Sequence, residues 1–177
     1  MEQVILVNEN DQSIGVMEKL QVHKVGKLHR AFSVFIFNDK GEMLLQQRAS
    51  KKYHSGGLWS NACCSHPSPE NDEEILVSAK RRLKEEMGFD AEISPAFSFI
   101  YNSPVGKGLI EHEFDHVFIG TYNGPVNPNP DEVKNYRYIP FDEVRSIMIR
   151  QPYQFTKWFT IAYPLVEAWM QKNEVVK

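Results

Sequence analysis

An α+β fold, a mixed β-sheet body sandwiched by helices in a single domain, is the class this sequence predicts. Three observations lead there. Short apolar, β-branched and aromatic runs bounded by turn residues recur along the chain, one long charged helical segment interrupts them at 72–87, and two helical segments close the chain. The 177 residues suit one domain with a full core, read as 1–177; no repeat, low-complexity tract or internal linker divides them.

Gln3–Asn8 reads as the first strand, with a turn through Asn10-Asp11, and Val16–Val22 is short and ambiguous. Arg30–Phe37 and Glu42–Gln47 flank the turn Asn38-Asp39-Lys40-Gly41, a hairpin signal. Arg48–Gly57 is basic, ends in paired glycines and reads as a loop, and Trp59–Cys64 reads as a short strand. Asp72–Met87 is the clearest helix. Asn71 or Asp72 can cap it, acids fill its first turn, and Gly88 stands at the left-handed position that ends a helix. Ile75, Ala79, Leu83 and Met87 recur every four residues and should face the core. Strands over Glu92–Tyr101, Glu111–Tyr122 and Tyr136–Ile139 follow, with a Pro/Asn turn region at Gly124–Pro130. Phe141–Ile149 and Thr156–Lys172 read as helices, and Pro164, whose nitrogen has no hydrogen to donate, predicts a break or kink in the second.

Composition excludes some classes of function. The net charge is −3, which gives no general attraction to nucleic acid or to an anionic membrane. An anion site must therefore be a local cluster of basic residues. No apolar run approaches the roughly 20 residues that span a bilayer, and the N-terminus lacks the basic segment and small-residue cleavage site of a signal peptide. Cys63 and Cys64 are the only cysteines. Neighbouring Cα atoms stand about 3.8 Å apart, closer than the about 4.4–6.8 Å that a disulfide spans. Both read as free thiols in a reducing cytoplasm. Nothing marks an exposed heptad or a large apolar patch, so a monomer is expected.

The stretch Trp59-Ser60-Asn61-Ala62-Cys63-Cys64-Ser65-His66 holds both thiols, an imidazole and an aromatic ring. Strand alternation puts Cys64 and His66 on one face and Cys63 on the other; by the same rule Glu111 and Glu113 share a face with His112 opposite. His23 and His29 sit just before the Arg30 strand. Three imidazoles and two carboxylates are the donor types of a divalent-metal site, and no thiolate quartet exists for a structural zinc finger. Taken singly, each histidine is more often a packing residue. The 81–86 helix face, taken alone, is more often solvated, with pairs such as Arg82–Glu86.

Glu73, Arg81-Arg82-Leu83-Lys84-Glu85-Glu86 and Gly88-Phe89 resemble the Nudix box, a loop–helix–loop whose glutamates hold divalent metals against a diphosphate. Pro67 stands where that box opens with glycine, and Arg82 stands where the hydrolases carry a metal-binding glutamate. Arginine suits a grip on phosphate instead, through its fork of donors. The larger set His23, His29-Arg30-Ala31-Phe32-Ser33, Trp59 to Pro67, Arg81 to Gly88, Tyr101, Glu111-His112-Glu113 and Trp158 runs in one order along the chain. Together, from about Val4 to Trp169, it resembles the type I isopentenyl-diphosphate isomerases, non-hydrolysing relatives of the Nudix enzymes.

The resemblance implies a Nudix-like fold and an isomerase of isoprenoid biosynthesis. Such an enzyme interconverts isopentenyl and dimethylallyl diphosphate by protonation and deprotonation through a carbocation-like intermediate. It implies Cys64 and Glu113 as the acid/base pair, Tyr101 hydrogen-bonded nearby, and Trp158 with its ring facing the cation. Cys63 and Trp59 are then packing residues. It implies one metal site of His23, His29, His66, Glu111 and Glu113, completed by a water or another oxygen and suited to Mn²⁺, Zn²⁺ or Mg²⁺. A second ion, Mg²⁺, would arrive with substrate at Glu86 and the backbone carbonyl of Cys64. Lys19, Arg48, Lys52 and Arg82 match the diphosphate clamp, with Lys51 replacing Lys52 if the loop register slips by one. No flavin is expected, because no Gly-rich nucleotide loop is present. The rival readings are a Nudix-type diphosphate hydrolase and a non-catalytic domain that senses isoprenoid diphosphates.

Overall fold

The structure is a computed structural model that describes residues 1–70 and 73–173. In chain order it forms β1 (Gln3–Val7), β2 (Ser13–Glu18), α1 (Lys19–Val25), β3 (His29–Phe37), β4 (Glu42–Arg48), β5 (Trp59–Ser60) and β6 (Cys63–Ser65). Then come α2 (Ile75–Met87), β7 (Ile93–Gly106), β8 (Leu109–Thr121), β9 (Val133–Pro140), α3 (Phe141–Arg150) and α4 (Lys157–Lys172). The result is the expected mixed sheet between helices.

β3 is the axis of this arrangement, because both of its faces are apolar. Phe32, Val34 and Ile36 enter a core with Ala79, Leu83 and Met87 of α2. Phe35 and Phe37 enter a second core with Phe159, Tyr163 and Val166 of α4. A strand covered on both sides can pair in parallel, and β3 does so with β8 from His29 opposite Glu113 to Phe37 opposite Thr121. On its other edge β6 runs antiparallel, with Cys64 opposite Ser33. β7 and β8 form a long hairpin that sets Tyr101 opposite Glu113. Register thus sets the tyrosine beside the carboxylate, while the thiol stands on the other edge of β3, farther along it than His29, the partner of Glu113.

Several expectations need correction. The 38–41 turn forms, with the Asn38 N–H on Glu42 O at 3.0 Å, but the hairpin ladder is a single pair, Phe37 opposite Met43. Beyond it β3 turns to β6 and β8, while β4 turns to β5 and β9. Both strands are two-sided and apolar, so more distant partners win over the local one. The expected strand Trp59–Cys64 is two short pieces, because Asn61 spends its side-chain N–H groups on Val34 O at 3.0 Å and Cys63 O at 2.9 Å. The ambiguous Val16–Val22 stretch divides into the end of β2 and α1, where Glu18 caps the helix by accepting from Leu20 N at 2.9 Å and Gln21 N at 2.8 Å.

The proposed caps Asn71 and Asp72 lie outside the described residues. α2 starts at Ile75 with no acid in its first turn. Glu73 precedes the helix and reaches along it to Arg81 at 2.7 Å. α4 begins one residue after Thr156, its N-cap, and runs unbroken through Pro164.

Gly88 ends α2 as expected, at φ +78°. A Cβ there would sit 2.1 Å from the Asn127 carbonyl oxygen, because the 127–129 loop crosses the helix end and donates to Met87 O and Glu86 O. Gly88→Ala adds left-handed strain, worth about 1–3 kcal/mol, to that clash. A clearly lowered Tm in thermal denaturation is the expected outcome; an unchanged Tm would mean that the loop yields freely.

Candidate active site

α1 places Lys19 and His23 on one helix face, four residues apart. His23 and His29 are fully buried. The Nδ1 of His23 bonds Lys19 O at 2.7 Å and that of His29 bonds Lys27 O at 2.9 Å. Each carbonyl can only accept, so each ring carries a proton on Nδ1, and in its neutral form offers Nε2 as a lone pair. Both Nε2 atoms are buried without a hydrogen-bond partner, a costly arrangement unless a cation answers it. Imidazoles that donate one ring N–H to a backbone carbonyl and aim the other nitrogen inward are the usual arrangement of histidines that ligate a metal.

Across from them, Glu113 Oε1 stands 3.4 Å from His29 Nε2 and 3.0 Å from His66 Nε2. The Tyr101 hydroxyl lies 2.6 Å from Glu113 Oε2 and 2.9 Å from Glu111 Oε2. As alternation requires, His112 points away, with its Nδ1 3.0 Å from Gly26 O. Burial, then the charge of Glu113, pushes Glu111 well above the ordinary carboxylate range. Burial would raise Glu113 as well, but the imidazoles of His29 and His66 outweigh it and hold that group well below its ordinary value. Burial pushes His66 down to about 4. The neutral imidazole that results is the form that ligates metals.

Cys64 and Cys63 divide as predicted. Cys63 is buried against α2. Cys64 Sγ donates to Asn61 Oδ1 at 3.0 Å and lies 3.6 Å from Ser33 Oγ. Ser33 in turn donates to the buried Asp115 at 2.7 Å. Burial and then Asp115 push the Cys64 thiol up to about 12, so the sulfur keeps its proton at neutral pH.

Trp158 lies beside the thiol and lines the cavity. Its indole N–H, not its ring face, meets Cys64 Sγ at 3.1 Å, and the Arg48 guanidinium lies over the ring 5.0 Å from its centroid. The Trp59 segment sets this up, since Trp59 O accepts from Thr156 N at 2.9 Å and Ser60 Oγ meets Thr156 Oγ1 at 3.1 Å. These bonds fix the start of α4 two residues before Trp158. Trp59 itself is a packing residue at the second core.

All four expected clamp cations, Lys19, Arg48, Lys52 and Arg82, line a cavity of about 50 Å³ together with Cys64, His66, Glu86, Tyr101, Glu111, Glu113 and Trp158. The cavity adjoins a groove of about 1060 Å³ that shares Lys19, Lys52, His66 and Arg82. Lys52, not Lys51, faces it; Lys51 is exposed and pairs with Asp131. His23 and His29 lie beneath the cavity and do not line it. Three of the cations hold carboxylates: Lys19 pairs with Glu2 at 3.1 Å, Lys52 with Glu132, and Arg82 with Glu86 at 2.8 Å. Glu86 is buried and accepts a second bond from Gln46 at 2.9 Å, so it does not belong to a solvated face.

Sequence reasoning missed Asp115, Glu132 and His54. Asp115 continues the two-residue alternation of Glu111 and Glu113 and was within reach of that rule. Glu132 and His54 lie in irregular segments, where no period marks an inward position.

A family model described as NUDIX domain matches residues 27–159. A crystal structure of a Deinococcus radiodurans protein superposes with a TM-score of 0.70 at 17% identity, covering 85% of this chain and 90% of that one. At such identity the likeness concerns the fold alone. An isopentenyl-diphosphate Delta-isomerase of Pectobacterium atrosepticum is 49% identical over 169 residues, 96% of this chain and 93% of that protein. The isopentenyl-diphosphate Delta-isomerase 2 of Aromatoleum aromaticum is 48% identical over 157 residues, 89% of this chain and 82% of that protein. Fold and site define a Nudix-domain enzyme. Within that class the chain belongs to the isopentenyl-diphosphate Delta-isomerase family.

Proposed function

We propose that the chain interconverts isopentenyl diphosphate and dimethylallyl diphosphate, with Cys64 and Glu113 as the two proton carriers. The observation that carries this reading is that thiol and carboxylate line one small cavity whose rim bears the clamp cations. Their strands, β6 and β8, flank β3, with Cys64 opposite Ser33 and Glu113 opposite His29, so the two groups reach the cavity from opposite edges of that strand. An alkene lying between them can accept a proton at its terminal carbon and lose one from the carbon nearer the diphosphate, which shifts the double bond by one position. The positive charge that develops on the middle carbon is tertiary. Trp158 and Tyr101 border the cavity and shield that charge from water.

Diphosphate binding exchanges one set of anions for another. Lys19 leaves Glu2, Lys52 leaves Glu132 and Arg82 leaves Glu86 for phosphate oxygens, and Arg48 offers its guanidinium from the indole side. This local positive field lets a chain of net negative charge hold a polyanion.

His23, His29, His66, Glu111 and Glu113 would hold one divalent ion, Mn²⁺, Zn²⁺ or Mg²⁺, and Glu86 with the Cys64 carbonyl would hold Mg²⁺ brought by the diphosphate. Such ions, when bound, neutralise the Glu111–Glu113 pair and the substrate's phosphate charge. The proposed reaction moves protons and transfers no electrons to a cofactor, so it calls for no flavin. We extend the proposal to a monomer working in the cytoplasm without nucleic-acid or membrane partners; the two free, adjacent cysteines fit a reducing compartment.

The test is incubation with isopentenyl diphosphate and Mg²⁺ in D₂O, followed by NMR. Dimethylallyl diphosphate carrying deuterium is the expected product. Release of phosphate or diphosphate with no rearranged alkene would instead support the hydrolase, a reading weakened by Arg82 occupying the place of a metal-binding glutamate.

A further inference from the structure

We propose that His54 is a sixth donor at the histidine metal site, so that an ion there is held by four imidazoles and two carboxylates and keeps no water. This rests on reading His23, His29, His66, Glu111 and Glu113 as a metal centre.

Two groups of donor atoms are each mutually within 4.8 Å. One is His23, His29, His66 and Glu113, and the other is His23, His54 and Glu111. His23 belongs to both. Its Nδ1 is committed to Lys19 O at 2.7 Å, so it has one free nitrogen, and one lone pair binds one ion. The two groups meet at that one nitrogen, so an ion bound to it can draw donors from both.

His54 is only 3% exposed. Its Nε2 is buried with no hydrogen-bond partner, although Glu111 Oε1 is 3.3 Å away. A nitrogen and a carboxylate oxygen that close, without hydrogen-bond alignment, fit two ligands facing a common third point. The ring is held for that task. Its Nδ1 lies 3.1 Å from Ser55 Oγ, its edge-on neighbours are Tyr53 at 4.2 Å and Trp158 at 5.8 Å, and its carbonyl accepts from Arg48 at 3.3 Å.

With five protein ligands an octahedral ion keeps one open position for water. With six it keeps none, and its work is confined to fixing and neutralising Glu111 and Glu113. The Arg48–Gly57 loop would then tie a clamp arginine and the indole of Trp158 to the metal centre through one residue.

X-ray absorption on protein loaded with one equivalent of Mn²⁺ tests this, using wild type, His54→Ala and His54→Gln. Circular dichroism and melting of the metal-free variants confirm folding. The expected result is four imidazole scatterers in wild type, three in both variants, and Mn²⁺ affinity lowered at least about tenfold in each. Three imidazoles in all three proteins, with affinity kept by His54→Gln, would overturn the proposal and leave His54 as a hydrogen-bonding orienter of Glu111. Failure of wild type to bind one equivalent of Mn²⁺ would overturn the metal-centre reading as well.

Discussion

Cys64→Ala is expected to lower isomerase turnover by about 10²–10⁴-fold, the range that a positioned acid or base contributes, while diphosphate affinity changes little. The thiol is built to keep its proton. Burial and the nearby Asp115 push it up to about 12. Asn61, whose amide N–H groups are both taken by carbonyls, has only its oxygen left to receive the S–H. The alanine variant removes the proton carrier and leaves Lys19, Lys52 and Arg82 in place, so kcat should fall and binding of a diphosphate analogue by calorimetry should not. Full turnover in a folded Cys64→Ala protein would remove the thiol from the reaction.

Glu113→Gln is expected to be at least as damaging, and on two counts. The amide keeps the size of the side chain and can still accept from Tyr101. It loses the charge that faces His29 and His66 at 3.4 and 3.0 Å and can no longer take up a proton. Turnover should drop by at least about 10³-fold, and divalent metal retained after dialysis, measured by elemental analysis, should fall below one equivalent. Because catalysis and metal content are read separately, the two roles can be told apart. Retained metal with lost turnover would leave Glu113 as a proton carrier alone, and retention of both would exclude it from either role.

The elements legible in advance were those with a strong period. The i+4 stripe of α2 packs as expected, with Ala79, Leu83 and Met87 fully buried. The two-residue alternation correctly turned Glu111 and Glu113 inward and His112 outward, and separated Cys64 from Cys63. The seven-residue α1 escaped notice because two turns carry too little period to outweigh β-branched neighbours. The 38–41 hairpin misled because turn chemistry describes four residues, whereas the partners of β3 and β4 are chosen by two cores that join segments distant in sequence.

Residue type and order alone therefore determined the class of fold, the inventory of imidazoles, carboxylates, thiol and cations, and which of them share a strand face. These follow from backbone periodicity, which is local. Assembly decided the rest. It put His54 against Glu111 from a loop with no period, gave Glu132 to Lys52, turned the indole N–H of Trp158 toward Cys64, and chose Lys52 over Lys51 to face the cavity. Such contacts join segments brought together only when β8 zips in parallel onto β3 and α4 closes over the sheet, and no short-range pattern in the chain records where they will meet.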